Sequence, residues 1–295
     1  MLVHYRELFK KDFTGQYAIP AFNAHNLEFA LAVVRAAVSK RAPVILQAAS
    51  HSVQYAGLKN LYNIVASVAN DPDVSVPVAL HLDHTKDETI IEQAVDAGFS
   101  SVMIDASHLP FEENLAATQK AVAYAHAKGV WVQAELGRLR GNEDWVSVSD
   151  LESLFTDPDE AEEFVKESHV DALAIAVGTM HGIIKFRERI VPKLDIARIR
   201  EIKQRVKIPL VLHGASGVPE DQIHEAIKAG ISTINIDTEL RMAFSQALRD
   251  FLASDEREVD PRKILTPAIA AVQKVAEEKF EEFGAAGQAL VSSSR

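Results

Sequence analysis

Along the chain, short apolar runs alternate with longer stretches in which apolar positions recur every three or four residues. The apolar runs are Tyr17–Phe22, Pro43–Gln47, Val76–Asp83, Ser101–Asp105, Val130–Leu136, Ala172–Val177, Pro209–His213 and Thr233–Ile236. Runs of this kind fit parallel strands, which are covered on both faces. Between them, Leu27–Lys40, Glu88–Ala97, Glu112–Lys128, Asp195–Arg205 and Glu220–Ala229 read as amphipathic helices. Three of these helices close at Gly98, Gly129 and Gly230, the residue that best tolerates a left-handed cap. Eight strand–helix units in 295 residues, with no break in composition, predict an α/β fold, a closed (β/α)8 barrel. A doubly wound sheet is the alternative, but that many units in this length favour closure.

Ala-rich helical patterns after Thr238 and from Thr266 to Phe283 predict the last barrel helix and additional C-terminal helices. The chain is therefore read as a single barrel domain, residues 1–295, with a helical extension over about 255–290. Ser292–Arg295 is expected to fray. Two connections are longer than a tight turn needs: Gly137–Glu160, with Trp145 inside it, and Gly178–Leu194. Long connections in a compact barrel are lids, binding loops or disordered segments. Both follow the C-terminal ends of strands, where barrels keep their chemistry.

Composition narrows the class. Hydrophobic residues are 47% of the chain, enough for a large core. No apolar run approaches the length of a membrane span, and Met1–Arg6 lacks a signal peptide's apolar core, so a cytoplasmic protein is expected. Cysteine is absent, so any metal must be held by His, Asp or Glu. A net charge of −11 argues against a nucleic-acid binder but allows an anionic small substrate at a local site.

The predicted strand ends carry polar residues that a strand does not need. Val78-Ala79-Leu80-His81-Leu82-Asp83-His84 ends in a carboxylate flanked by imidazoles. Alternation puts His81 and Asp83 on one face, with His84 on the other or just past the end. Strand four ends at Asp105, strand five carries Glu135, and strand six leads to His181-Gly182. Strand seven gives His213-Gly214-Ala215-Ser216-Gly217, and strand eight Asn235-Ile236-Asp237-Thr238. A lone histidine is more often a core residue. Three at corresponding strand ends, His84, His181 and His213, converge if the barrel closes, as in a catalytic zinc-type site. The turns after strands seven and eight stand where such barrels commonly bind phosphate, with Ser216 and Thr238 as hydroxyl donors.

These stretches resemble the class II, metal-dependent ketose-bisphosphate aldolases, the family of the fructose- and tagatose-bisphosphate enzymes. Ala18–Asn23, His81–His84, Ser101–His108, Glu135-Leu136-Gly137, Gly178-Thr179, His181-Gly182, His213–Gly217 and Asn235–Thr238 carry the likeness. It extends over essentially the whole chain, to Phe283-Gly284 and Gly287. The resemblance implies reversible cleavage of fructose or tagatose 1,6-bisphosphate to dihydroxyacetone phosphate and glyceraldehyde 3-phosphate, through a zinc-stabilised enediolate. It implies Zn2+, or another divalent ion, on His84, His181 and His213, and Asp83 as acid/base. Asp105 and Glu135 match positions of a second metal; the alternative is that they orient the histidines. Asn23, Gly182, Gly214, Ala215, Ser216, Asn235, Ile236, Asp237 and Thr238 are the implied substrate contacts, with a monovalent cation, Na+ or K+, near the phosphate. Glu143 matches a proton shuttle, and Arg262 is a candidate for the far phosphate. The resemblance also implies a homodimer or homotetramer, no nucleic-acid or membrane partner, and a place in glycolysis.

The chain departs from the family pattern at several positions. Ala49 stands where a hydroxyl is common, with Ser50 beside it. Thr85-Lys86, Arg140 and Ala285-Ala286 also differ. No lysine lies within the predicted strands, Lys86 and Lys185 falling beyond their ends, so the metal route is preferred to a Schiff base. Rival readings are a same-fold aldolase on another phosphorylated keto sugar or sugar acid, as in inositol breakdown, and an inactive phosphosugar-binding paralog. A barrel hydrolase would want a His-Xaa-His pair after strand one, where the chain has Asn23 and His25.

Overall fold

Closing a parallel sheet on itself removes its two exposed edges. The computed structural model describes residues 1–9, 16–138, 140–143, 146–148, 155–188 and 190–289, and in it the eight expected strands close in that way. They are β1 (Ile19–Asn23), β2 (Val44–Ala49), β3 (Val78–Thr85), β4 (Ser101–Ile104), β5 (Trp131–Leu136), β6 (Ala172–Ile175), β7 (Leu210–Leu212) and β8 (Ile231–Ile236). They follow one another round the barrel, and β8 pairs with β1 through Ile19↔Thr233 and Ala21↔Asn235.

Alternation along the strands sorts the core into two parts. Phe22, Leu46, Leu80, Leu82, Val102 and Ile234 face outward and share one large cluster with the helices. Inside the barrel, Ile19, Ala21, Ile45 and Ala79 form one cluster, and Met103, Ala172, Ala174 and Val211 another. Nearer the C-terminal ends the interior turns polar, with Asn23, Gln47, His81, Asp83, Gln133, Glu135 and His213 all buried. The floor is closed by a 3-10 helix, Tyr5–Phe9. The Tyr5 ring packs at 5.1 Å from Phe9, 5.4 Å from His81 and 6.0 Å from Trp131.

Three helices run between the residues that the sequence predicts, Leu27–Lys40, Glu88–Ala97 and Glu220–Ala229. Asn26 and Asp87 start the first two by accepting from the backbone N–H groups of Phe29 and Thr89. The longer connections hold more structure than expected. Pro158–Ser168 is a helix whose start, behind Asp157 with proline at its first position, falls inside the segment read as a loop. Strands Arg140–Glu143 and Val146–Val148 form a hairpin, which pairs with Met180–His181 through Gly141↔His181. The two long connections thus meet each other over the mouth.

At the C-terminus, helices Thr238–Ser254 and Pro261–Glu282 pack together, and the second lies against Leu27–Lys40. Phe280 meets Phe22 edge-on at 5.5 Å, and the N–H groups of Gly287 and Ala289 donate to the carbonyls of Lys40 and Arg41. No helix among the described residues is long and apolar enough to cross a membrane.

Candidate active site

A regular strand would send Asp83 and His84 to opposite faces of the sheet. Instead, Leu82 pairs with Val102 and Thr85 with Ile104, three steps on β3 against two on β4. His84 sits at this bulge with φ of 38°, a left-handed backbone that costs a non-glycine residue about 1–2 kcal/mol. Two contacts hold it: the Ser50 hydroxyl donates to the His84 carbonyl at 2.5 Å, and the Asp105 N–H donates to the Thr85 carbonyl at 2.8 Å. Adjacent residues therefore both enter the interior. Strict alternation missed this because it takes no account of an extra residue.

The three histidines converge there, with donor atoms of His84, His181 and His213 all within 4.8 Å of one another. His84 Nε2 lies 2.6 Å from His213 Nδ1, close enough for the two rings to share one proton. Behind them, Asp105 Oδ2 accepts from His84 Nδ1 at 2.9 Å, which turns Nε2 inward. Glu135 Oε2 lies 3.6 Å from His213 Nδ1, is buried, and has no hydrogen-bond partner. Burial, together with Asp105, pushes the Glu135 carboxyl up to about 8. Burial opposes charge on His84 too, but Asp83, Asp105 and Glu135 outweigh it and raise the imidazole to about 10. Burial and the charge on His84 keep His181 and His213 neutral. Neutral imidazoles backed by buried carboxylates in excess of positive charge are a donor set that a divalent cation fits. The other side of His213 touches the Gln133 amide, 2.9 Å from Nε2.

Asp83 is 1% exposed and is held by amides: Gln47 Nε2 donates to Oδ2 at 3.0 Å and Asn235 Nδ2 to Oδ1 at 3.4 Å. Gln47 Nε2 also donates to Asn23 Oδ1 at 2.7 Å. Next to this network a narrow cavity is lined by Asn23, His181, Gly182, Gly214, Ser216, Asn235, Asp237 and Thr238. Lys185, not singled out for this site from the sequence, lines it as well. Its ammonium donates to the carbonyls of Met180 (2.6 Å) and Gly214 (2.8 Å), while burial lowers it to about 8. A side chain on Gly214, at φ 64°, would meet the Met180 carbonyl at 2.7 Å, so glycine is what allows these two loops to close on one ammonium. Glu239 joins the third loop by accepting from the Gly217 N–H at 2.8 Å.

The expected contacts do not all point inward. The side chains of Ala215 and Ile236 belong to the outer core, so those residues can offer the mouth only backbone. Arg262 lies outside the cavities of the mouth, 90% exposed, with its guanidinium on Asp260. The backbone of Glu143 lies in the hairpin, opposite Val146; its side chain falls outside the described residues.

A second cavity, of about 200 Å³, adjoins the first and shares Asn23 and Asp237 with it. His25, Ala49, His51, Ser52, Tyr55 and Arg241 complete its lining. His25 bridges three barrel units, with Nδ1 2.8 Å from Ser52 Oγ and Nε2 2.8 Å from Asp237 Oδ1. Asp237 is mostly enclosed, its side chain 16% exposed, and His25 and Arg241 outweigh its desolvation and lower its carboxyl. Sequence reasoning passed over His25 and Ser52; the available signal was that both closely follow predicted strand ends.

The comparisons follow this geometry. The family model described as "Fructose-bisphosphate aldolase class-II" matches residues 3–288. A fructose-bisphosphate aldolase of Geobacillus stearothermophilus is 44% identical over 98% of this chain and 99% of its own length. One from Staphylococcus aureus is 41% identical, again over 98% of this chain and 99% of its own. Among solved structures, the YdjI aldolase of Escherichia coli K12 superposes with a TM-score of 0.81 at 34% identity, covering 98% of this chain and 100% of that one.

Proposed function

From the premise that the chain belongs to the class II fructose-bisphosphate aldolase family, we propose that it cleaves fructose 1,6-bisphosphate reversibly to dihydroxyacetone phosphate and glyceraldehyde 3-phosphate. Membership makes it an aldolase, a carbon–carbon lyase of carbohydrate metabolism that uses a divalent metal and a phosphosugar. The observation that carries the finer reading is the arrival of Asp83 beside His84, His181 and His213 at one buried mouth. Tagatose 1,6-bisphosphate, the epimer at C4, is the second substrate to test. We assign the metal as zinc, held by the three histidines.

When bound, the ion supplies a Lewis acid for the charge that develops as the bond breaks. The chain's own groups do the rest. Asp83 takes the proton of the C4 hydroxyl during cleavage and returns it during condensation, its carboxylate aimed by Gln47 and Asn235. Asp105 orients His84, and Asp105 and Glu135 together balance the positive charge gathered there. The triose phosphate lies against Gly182, Gly214, Ser216 and Thr238, where backbone N–H groups and the start of the Thr238–Ser254 helix favour an anion. The monovalent cation implied for this phosphate has a competitor within the chain, the ammonium of Lys185. Glu143 is retained as the donor to the triose carbon.

The chain is taken as one domain, because its C-terminal helices pack on the first barrel helix. A cytoplasmic homodimer or homotetramer is the assembly the family suggests. The test is a coupled assay of dihydroxyacetone phosphate release from both ketose bisphosphates, with and without chelator. Chelator-sensitive cleavage of fructose 1,6-bisphosphate, faster than its epimer, is expected. Cleavage that is indifferent to chelator, or absent with metal bound, overturns the reading.

A further inference from the structure

Glu239 has the wrong charge for its place. It follows Thr238 in the first turn of the Thr238–Ser254 helix and accepts from the Gly217 N–H at 2.8 Å, next to Ser216. Thr238 and Ser216 both line the narrow cavity assigned to the triose phosphate. A carboxylate so near works against the anion that the site must hold. Its influence on the cavity wall is visible at Lys185: burial lowers that ammonium, and the charge of Glu239 opposes the lowering. The field that favours a cation at Lys185 disfavours a phosphate beside it.

The counter-charge comes from the far end of the chain. Lys279, on the Pro261–Glu282 helix, sets its ammonium 3.1 Å from Glu239 Oε2 and donates to Glu282 Oε2 at 2.8 Å. Its side chain is 13% exposed. Burial works against charge on this lysine, but Glu239 and Glu282 outweigh it and raise the ammonium. The end of the helix is anchored to the barrel, which keeps the lysine in place. His224 Nε2 lies 3.0 Å from the Glu282 carbonyl, and the Ala18 N–H, just before β1, donates to the Phe283 carbonyl at 3.0 Å. The two oxygens of Glu239 therefore have separate tasks, Oε1 holding Gly217 and Oε2 meeting Lys279. In a pair so enclosed, removing one partner leaves the other uncompensated.

We propose that Lys279 is a positioning residue of the phosphate site: paired with Glu239, it keeps that carboxylate on the Gly217 N–H and cancels its charge where the triose phosphate binds. The C-terminal helix then belongs to the substrate site, although none of its residues lines the cavity. The proposal rests on the aldolase reading above, and its test separates the two.

The experiment measures the Kd of dihydroxyacetone phosphate by calorimetry, with kcat and KM for fructose 1,6-bisphosphate alongside. It compares the metal-loaded wild type with Lys279→Met, Lys279→Arg, Glu239→Gln and the double variant Lys279→Met/Glu239→Gln. Lys279→Met leaves the carboxylate uncompensated and should raise Kd and KM about tenfold, with kcat within about threefold of wild type. Lys279→Arg keeps the charge and should recover most of the binding. Glu239→Gln keeps an acceptor for Gly217 without the charge, so it should bind at least as tightly as wild type, whether or not Lys279→Met folds. The double variant should return to within about threefold of wild type, because neither charge is left alone. A pair that served only stability would give the opposite order, with the double variant no better than Lys279→Met. Unchanged binding in Lys279→Met, a loss of about tenfold in Glu239→Gln, or a double variant as weak as Lys279→Met each overturns the proposal. A wild type that binds dihydroxyacetone phosphate but cleaves no ketose bisphosphate overturns instead the aldolase reading beneath it.

Discussion

His81 and His84 lie three residues apart on β3, and their surroundings push them in opposite directions. His81 sits toward the floor, its Nδ1 2.9 Å from the Ser101 hydroxyl and its ring against Tyr5. Burial, with the charge on His84 adding to it, lowers His81 to about 3. His84, whose side chain is 10% exposed, faces three carboxylates and is raised to about 10. The difference is in partners rather than depth. The floor solves burial by packing rings together, whereas the mouth gathers charge that only a cation or a substrate can balance. Barrels of this kind place stability at one end and chemistry at the other.

The largest expected break in that comparison is at the mouth. His213→Ala should lose bound metal, read by elemental analysis, and about 10³-fold or more in kcat, while circular dichroism stays native. Asp83→Asn sharpens it, keeping the metal while kcat falls about 10²–10⁴-fold. Near-normal turnover in a folded, metal-loaded Asp83→Asn would remove the role given to that carboxylate. At the floor the pattern inverts. Tyr5→Ala should cost about 3–5 kcal/mol in urea denaturation and leave kcat at 25 °C near wild type.

The smallest effect is in the sign of the pH dependence, read from urea midpoints of metal-stripped protein. His84 is raised above its ordinary 6.5, so its contribution to stability is full below pH 6.5 and is lost as pH climbs to about 10. Glu135, raised from 4.5 to about 8, acts in the same direction, its contribution being lost between those values. His81 is lowered, so below pH 6.5 the unfolded chain takes up a proton that the folded ring refuses until about 3, and stability falls with pH. Metal should flatten the alkaline side, and His81→Asn the acid side. A stripped protein more stable at pH 9 than at pH 7 would contradict the assignment at the mouth.

The barrel was legible because its strands are apolar on both faces and its helices carry their own start and stop signals, as at Asn26 and Gly98. The three histidines and Asp83 were legible because nothing in a strand calls for them. Lys185 was passed over because its meaning depends on two carbonyls from different loops. Those loops meet only after the chain has closed. His25 was hidden for the same reason, since Ser52 and Asp237 reach it from units at opposite ends of the sequence. The hairpin over the mouth pairs two connections that each look unstructured when read alone.

The extra residue at the end of β3 carries a liability for this chain. Loss of a single codon there would restore regular pairing with β4 and relieve the left-handed backbone, so the shortened chain should fold at least as firmly. It would also carry either Asp83 or His84 out of the mouth. Selection for robustness and selection for turnover therefore pull in opposite directions at this one position, and an inert descendant is one deletion away.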